Sequence, residues 1–177
     1  AKALDAGAHG IMAPHIRDAE DAKTFASWTK YPPAGTRSTC TAVRAIQYSA
    51  AGIPQHIQES NENVLFIALI EELSAVDAID QILDVDGVDI VMPGPADLAT
   101  SLNVPGGFEH PLVTGAVEKV IKAATSRKKA YAGMYVSTAE QAQRWLKQGV
   151  KFIVYSVDSR VVYNAYKEAL SKLHSYL

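Results

Sequence analysis

Val88-Asp89-Ile90-Val91-Met92-Pro93-Gly94-Pro95-Ala96-Asp97-Leu98 is an apolar run that breaks at a Gly-Pro turn and then presents a carboxylate. Upstream lies a partner of the same build, Ile67-Ala68-Leu69-Ile70-Glu71-Glu72, which also ends in acid. Runs that are apolar throughout, rather than alternating, read as parallel strands covered by helices. Outward from this pair the same unit recurs. Gly10 to Pro14 is a strand, followed by a helix from Ala19 to Trp28 that Asp18 caps and Pro32 and Pro33 end. Val64 to Ile70 is the second strand, Ser74 to Leu83 a helix and Val88 to Met92 the third strand. A long helix starts at His110-Pro111 and runs to about Arg127, with proline at a tolerated first position. Tyr131 to Val136 is the fourth strand, and Ser137-Thr138-Ala139-Glu140-Gln141 has capping-box spacing for a helix that closes at Gly149. Phe152 to Val157 is the fifth, and Asp158 is expected to cap a final helix with Val162, Tyr166, Ala169 and Leu173 on one face. Tyr31 to Asn63 is a long connection with Gly35, Gly52, Pro54 and short helical patches such as Ala42 to Tyr48, a kind of segment that often carries function.

Bulk properties bound the reading. The 177 residues are 48% hydrophobic and 20% charged, which suits one globular domain. A formal charge of -2 with Lys and Arg dispersed along the helices leaves no nucleic-acid footprint, so small molecules are the expected partners. The single cysteine, Cys40, can make neither an internal disulfide nor a thiolate cluster, which fits a reducing compartment. No apolar run approaches the roughly 18 residues of a membrane helix and no basic-then-apolar leader is present. The expectation is therefore a soluble, cytoplasmic protein with no membrane partner. Ala1-Lys2-Ala3-Leu4-Asp5-Ala6-Gly7 reads as the last turn of a helix, so further sequence is expected upstream. No Gly-x-Gly-x-x-Gly follows any strand, which argues against a dinucleotide-binding sheet. The expected fold is α/β, a TIM-type (β/α)8 barrel of which residues 1–177 form one partial domain. Five β/α units are present and three strands are expected upstream.

In such barrels chemistry sits at the carboxyl ends of the strands, where Glu71 and Asp97 fall. Hard divalent cations take oxygen ligands, and consecutive strands about 4.8 Å apart let two carboxylates reach one ion. The competing reading has Glu71 starting a helix turn and Asp97 capping the next segment. Gly94 allows close backbone approach, and the Ala96 amide can donate where Pro95 has no N–H. Glu72 reads as a solvated or helix-start charge, and His15 as a proton shuttle or a loop histidine. Arg37 is expected to face an adjacent subunit rather than an anionic substrate, and Tyr135 and Tyr155 to pack in the core. None of the five strand cores holds the lysine that imine chemistry needs, which favours metal chemistry.

Taken together, Leu4-Asp5-Ala6-Gly7, Ala13-Pro14, Tyr31-Pro32-Pro33-Ala34-Gly35-Thr36-Arg37, Ile70-Glu71, Gly87-Val88-Asp89 and Gly94-Pro95-Ala96-Asp97-Leu98 resemble the HpcH/HpaI aldolase family. These are metal-dependent pyruvate aldolases with a barrel of the phosphoenolpyruvate/pyruvate type. The resemblance runs over almost the whole chain and makes these residues strands four to eight of the family barrel. It implies Glu71 and Asp97 as ligands of Mg2+, Mn2+ or Co2+, with Gly94, Ala96 and Asp97 around the pyruvate carboxylate. It implies Asp5 as the acid that supports a catalytic histidine, with that histidine and an enolate-steadying arginine upstream of Ala1. Leu69 stands where several members place a substrate-contacting glutamine, and Met92-Pro93 replaces the usual apolar pair. The implied activity is reversible cleavage of a 4-hydroxy-2-oxo acid to pyruvate and an aldehyde, in a homo-oligomer of trimers or hexamers that in some members exchanges its last helix. The chain alone is expected to turn over little. A related acyl-CoA ester lyase and a non-catalytic homologue are the alternatives.

Overall fold

The computed structural model describes residues 1–127 and 129–176. Five parallel strands, β1 (Gly10–Ala13), β2 (Leu65–Ile70), β3 (Ile90–Pro93), β4 (Tyr131–Val136) and β5 (Phe152–Tyr155), lie side by side in chain order. The helices are α1 (Lys2–Asp5), α2 (Ala19–Thr29), α3 (Ile53–Asn63), α4 (Leu73–Asp77), α5 (Ile79–Asp84), α6 (Pro95–Ser101), α7 (Pro111–Arg127), α8 (Ala139–Lys147) and α9 (Asp158–His174). This is a parallel α/β half-barrel, the coarser form of the expected fold.

The two faces of the sheet differ. Phe66, Ala68, Ile70 and Val91 point outward and are buried with Ala22, Ile82, Val117 and Ile121 of the helices, forming the main core. Strand alternation turns Ile67, Ile90 and Met92 to the other face, where a smaller cluster includes Leu69, Phe152 and Val154. That inner face is only partly covered, with Met12, Leu65 and Tyr131 exposed on it. No helix among the described residues is long and apolar enough to cross a membrane.

Several expectations are corrected. The long connection holds a full helix, α3, begun at the left-handed Gly52 with Pro54 in its first turn, while the patch at 42–48 contains only a 3-10 turn, Arg44–Ile46. The single helix expected from Ser74 to Leu83 is two, separated at Ala78. A short helix, α6, follows β3 directly, with Gly94 in the capping position. Asp97 is its third residue and makes no side-chain cap, so the capping reading of Asp97 fails. Asp158 is the first residue of α9 rather than its cap, its carboxylate accepting from the Ser159 N–H at 2.7 Å. The expected cap forms in a shifted version of the capping box: the N-cap Thr138 accepts from the Gln141 N–H at 3.2 Å, while the Gln141 side chain accepts from the N–H of Ser137, one residue before the cap, at 2.8 Å.

Candidate active site

Ile70 and Pro93 are paired in register, so Glu71 and Gly94 leave β2 and β3 side by side, and the Gly94 N–H donates to the Ile70 carbonyl at 3.0 Å. Alternation puts Glu71 on the inner face above Ile67 and Leu69. It is 8% exposed, one of few buried charged residues. Its Oε2 accepts from the backbone N–H of His15 at 3.1 Å, and His15 follows β1 in the left-handed region at φ 55. The His15 ring itself is exposed and lies 3.4 Å from Glu72, so this residue serves Glu71 through its backbone. A Cβ on Gly94 would fall 2.7 Å from the Glu71 Cγ and 3.2 Å from its Oε1. The glycine is therefore what leaves room for the carboxylate.

Asp97 is exposed on the first turn of α6, where the helix dipole favours an acid, and makes no hydrogen bond or ion pair with the described residues. The backbone ladder of α6 begins with the Leu98 N–H on the Gly94 carbonyl, which leaves the Ala96 N–H facing outward without an intrahelical acceptor. Leu69, half-buried, packs on the Ile67, Ile90 and Met92 cluster one rung below Glu71 and makes an apolar floor. Among the described residues no group of three or more His, Cys, Asp and Glu is arranged around one point. Two carboxylates suit a hard divalent cation, which commonly takes one or two from protein and fills its remaining positions with water and substrate. The Gly94 cradle that keeps the Glu71 carboxylate in place fits that donor set.

Tyr135, which the strand pattern assigns to the core, lies outside it. Carrying the pairing of Ile90 with Tyr131 and Val91 with Ala132 onward brings Tyr135 opposite Gly94, on the inner face and half-exposed. Hydrogen bonding to Ser156, and then to Ser137, lowers its phenol from the ordinary tyrosine value. The sequence signal for this was the alternation Tyr131, Gly133, Tyr135 within β4. Tyr155 is also out of the core, at 57% exposure.

Asp5 is not brought to this site. It ends α1, ahead of the amino end of β1, while α2 runs back to that same end, where the Lys30 Nζ reaches the carbonyls of Asn61 at 2.8 Å and Val64 at 2.6 Å. There the Arg37 guanidinium donates to the Asp5 carboxylate at 2.8 Å and lies 4.4 Å over the Tyr31 ring. Arg37 is 4% exposed, which corrects the expectation that it faces a neighbouring subunit. The segment that delivers it is pinned by backbone bonds, Gly35 to Tyr31, Thr36 to Ser27 and Arg37 to Lys30. A Cβ on Gly35 would lie 2.3 Å from the Ser27 carbonyl oxygen, so only glycine passes there. The Asn61 side chain closes the arrangement, accepting from the Tyr31 N–H at 2.7 Å and donating to its carbonyl at 3.1 Å.

Residues 1–165 match the family model described as HpcH/HpaI aldolase/citrate lyase. The chain is 34% identical over 169 residues to a 4-hydroxy-2-oxo-heptane-1,7-dioate aldolase of Escherichia coli, covering 95% of this chain and 63% of that protein. The chain thus spans less than two thirds of the length of that curated relative. Among solved structures, an HpcH/HpaI aldolase/citrate lyase family protein from Burkholderia cenocepacia matches with a TM-score of 0.88 and 31% identity, over 98% of this chain and 68% of that one. The citrate synthase SbnG matches with a TM-score of 0.86 and 27% identity, over 99% of this chain and 66% of that one. The motifs, the five-strand sheet and these likenesses agree, and the chain belongs to the HpcH/HpaI aldolase/citrate lyase family.

Proposed function

We propose that the natural protein is a divalent-metal-dependent aldolase that reversibly cleaves a 4-hydroxy-2-oxo acid into pyruvate and an aldehyde. The observation that carries this reading is the Glu71 carboxylate, buried against Gly94 at the strand ends, with Asp97 exposed in the first turn of the helix that Gly94 caps. Glu71 and Asp97 would hold the cation, of the Mg2+, Mn2+ or Co2+ class. When bound, it supplies Lewis acidity for the negative charge that grows on the 2-oxo oxygen as the C3–C4 bond breaks. The chain's own part is to bind and orient. The free Ala96 N–H beside Gly94 is a donor for the substrate carboxylate, and Leu69 with Ile67 and Met92 keeps water from beneath the reacting carbons. Proton transfer is assigned to a histidine outside this chain, aided by an arginine also outside it. Within one chain Asp5 sits at the opposite end of the sheet, and its contacts support a framework role with Arg37.

Closure of the half-barrel into a full (β/α)8 barrel by strands outside the chain belongs to the same proposal, and the partly uncovered apolar inner face supports it. So does assembly into a homo-oligomer, trimer or hexamer. Every described residue of α9 is exposed, and Val162, Tyr166, Leu170 and Leu173 form an apolar stripe suited to packing on a second copy. The likeness to a citrate synthase favours a second reading, carbon–carbon bond chemistry on a different oxo acid or a thioester. The test is Mn2+- or Mg2+-dependent release of pyruvate from 4-hydroxy-2-oxo acids by the natural full-length protein. Asp97→Ala is expected to lower that rate about 100-fold or more. An unchanged rate overturns the metal site, and a strict requirement for a CoA thioester replaces this reading with the second.

A further inference from the structure

We propose that His15 is a positioning residue for the cation site: its main-chain amide, turned inward by a left-handed backbone, sets the Glu71 carboxylate for the cation, and its ring takes no part. This rests on the aldolase reading and adds to it the device that holds its ligand. Ala13, the last residue of β1, is buried, and Ile16 is fully buried in the main core. Arg17 is tied on to α2, its backbone N–H donating to the Asp21 carboxylate at 3.2 Å and its guanidinium at 2.7 and 3.0 Å. The turn between Ala13 and Ile16 is thus anchored on both sides. Pro14 has no N–H, so the His15 amide is the first donor beyond β1, and it reaches across 56 positions of sequence to the Glu71 Oε2 at 3.1 Å.

The acid that the amide meets is buried without a counter-charge. No Lys, Arg or His side chain pairs with Glu71 among the described residues, and the His15 N–H is its one hydrogen-bond donor there. A single neutral donor offsets little of the cost of burying a carboxylate, so the amide orients Glu71 and leaves its charge for a cation. Oε2 is committed to the amide, while Oε1, the oxygen on the Gly94 side, has no donor among the described residues. The ring goes elsewhere: the His15 side chain is 71% exposed, and its Nδ1 lies 3.4 Å from the Glu72 Oε1. Consecutive acids at the exit of β2 therefore take different parts of one residue, Glu71 the amide and Glu72 the ring. The φ of 55° that allows this is open to histidine, asparagine and glycine, and least of all to a β-branched residue. What a replacement at position 15 has to keep is the backbone conformation.

The experiment is calorimetric titration with Mn2+ of the unaltered protein and of His15→Asn, His15→Gly, His15→Ala and His15→Val, with thermal unfolding of each to identify the folded variants. Asn and Gly lack the ring but admit the left-handed turn, and should keep the affinity within about threefold. Ala should lower it severalfold and Val about tenfold or more, with Ala deciding the matter where Val does not fold. Equal affinities across the folded variants overturn the positioning role. Losses in Asn and Gly as large as in Val or Ala overturn it too, because the ring would then be the working group. Glu71→Gln separates this claim from the reading beneath it. Mn2+ binding lost there alongside a flat His15 series sinks the role of His15 alone. Binding absent from the unaltered protein, or unchanged in Glu71→Gln, sinks the metal site and the positioning role together.

Discussion

The two ends of the sheet carry equally distinctive sequence and do different work. At the amino end, Tyr31-Pro32-Pro33-Ala34-Gly35-Thr36-Arg37 is folded shut: its backbone is bonded to the end of α2, Asn61 clasps Tyr31 from both sides, and Arg37 is buried on Asp5. At the carboxyl end, Glu71 has one protein hydrogen bond, Asp97 has none among the described residues, and the Ala96 amide faces outward. At the amino end most of these polar groups are paired and stabilise a framework, the Arg37 Nε alone being buried without a hydrogen-bond partner among the described residues; at the carboxyl end polar groups held in place but left open are available to a ligand. A motif's specificity in sequence therefore does not say which of these it builds.

The contrast can be broken most severely at the amino end. Asp5→Ala leaves the Arg37 guanidinium buried without its anion, and a loss of about 3–5 kcal/mol in urea unfolding is expected. Arg37→Met should cost less, about 1–3 kcal/mol, because the Asp5 side chain is 23% exposed and can hydrate. Equal costs would contradict the asymmetry of the pair.

Gly94→Ala probes the other end. Its φ of -104° suits alanine, so the cost lies in the contact with the Glu71 stem. Metal-dependent activity should fall about 100-fold, equivalent to about 2.7 kcal/mol, with a much smaller change in Tm. A large fall in Tm with activity retained would mark Gly94 as framework.

The smallest effect is spectroscopic. Burial raises the Tyr31 phenol, while hydrogen bonding to Ser156 and Ser137 lowers that of Tyr135. In an alkaline titration followed by tyrosinate absorbance, Tyr135→Phe should remove an early phase and Tyr31→Phe a late one. The signs for stability are opposite. The Tyr31 contribution is complete below the ordinary tyrosine value and is lost as pH rises toward its raised one. The Tyr135 contribution is present above the ordinary value and is lost as pH falls through its lowered one.

Much of this was legible in the sequence. The five strands are continuous apolar runs, and the strand-end acids and the glycine of Gly94-Pro95 stand out because each breaks such a run. Where reading failed, the deciding contacts were distant or the local pattern was silent. Ile53–Asn63 is mostly polar, and its helix end is held by Lys30, over thirty residues away. Pro93-Gly94-Pro95 looks like a plain turn, although Pro95 is also a good first residue for α6. Arg37 finds Asp5 across 32 positions, and no local pattern announces that pairing. Tyr135 looked like core because its strand is buried on one face, while its own alternation placed it on the other.

Calorimetric titration of the protein with Mn2+ tests most directly which end of the sheet binds a cation. One Mn2+ is expected to bind, with affinity lost in Glu71→Gln and in Asp97→Asn and kept in Asp5→Asn. Binding that survives the combined Glu71→Gln and Asp97→Asn change, or that disappears in folded Asp5→Asn, would contradict it.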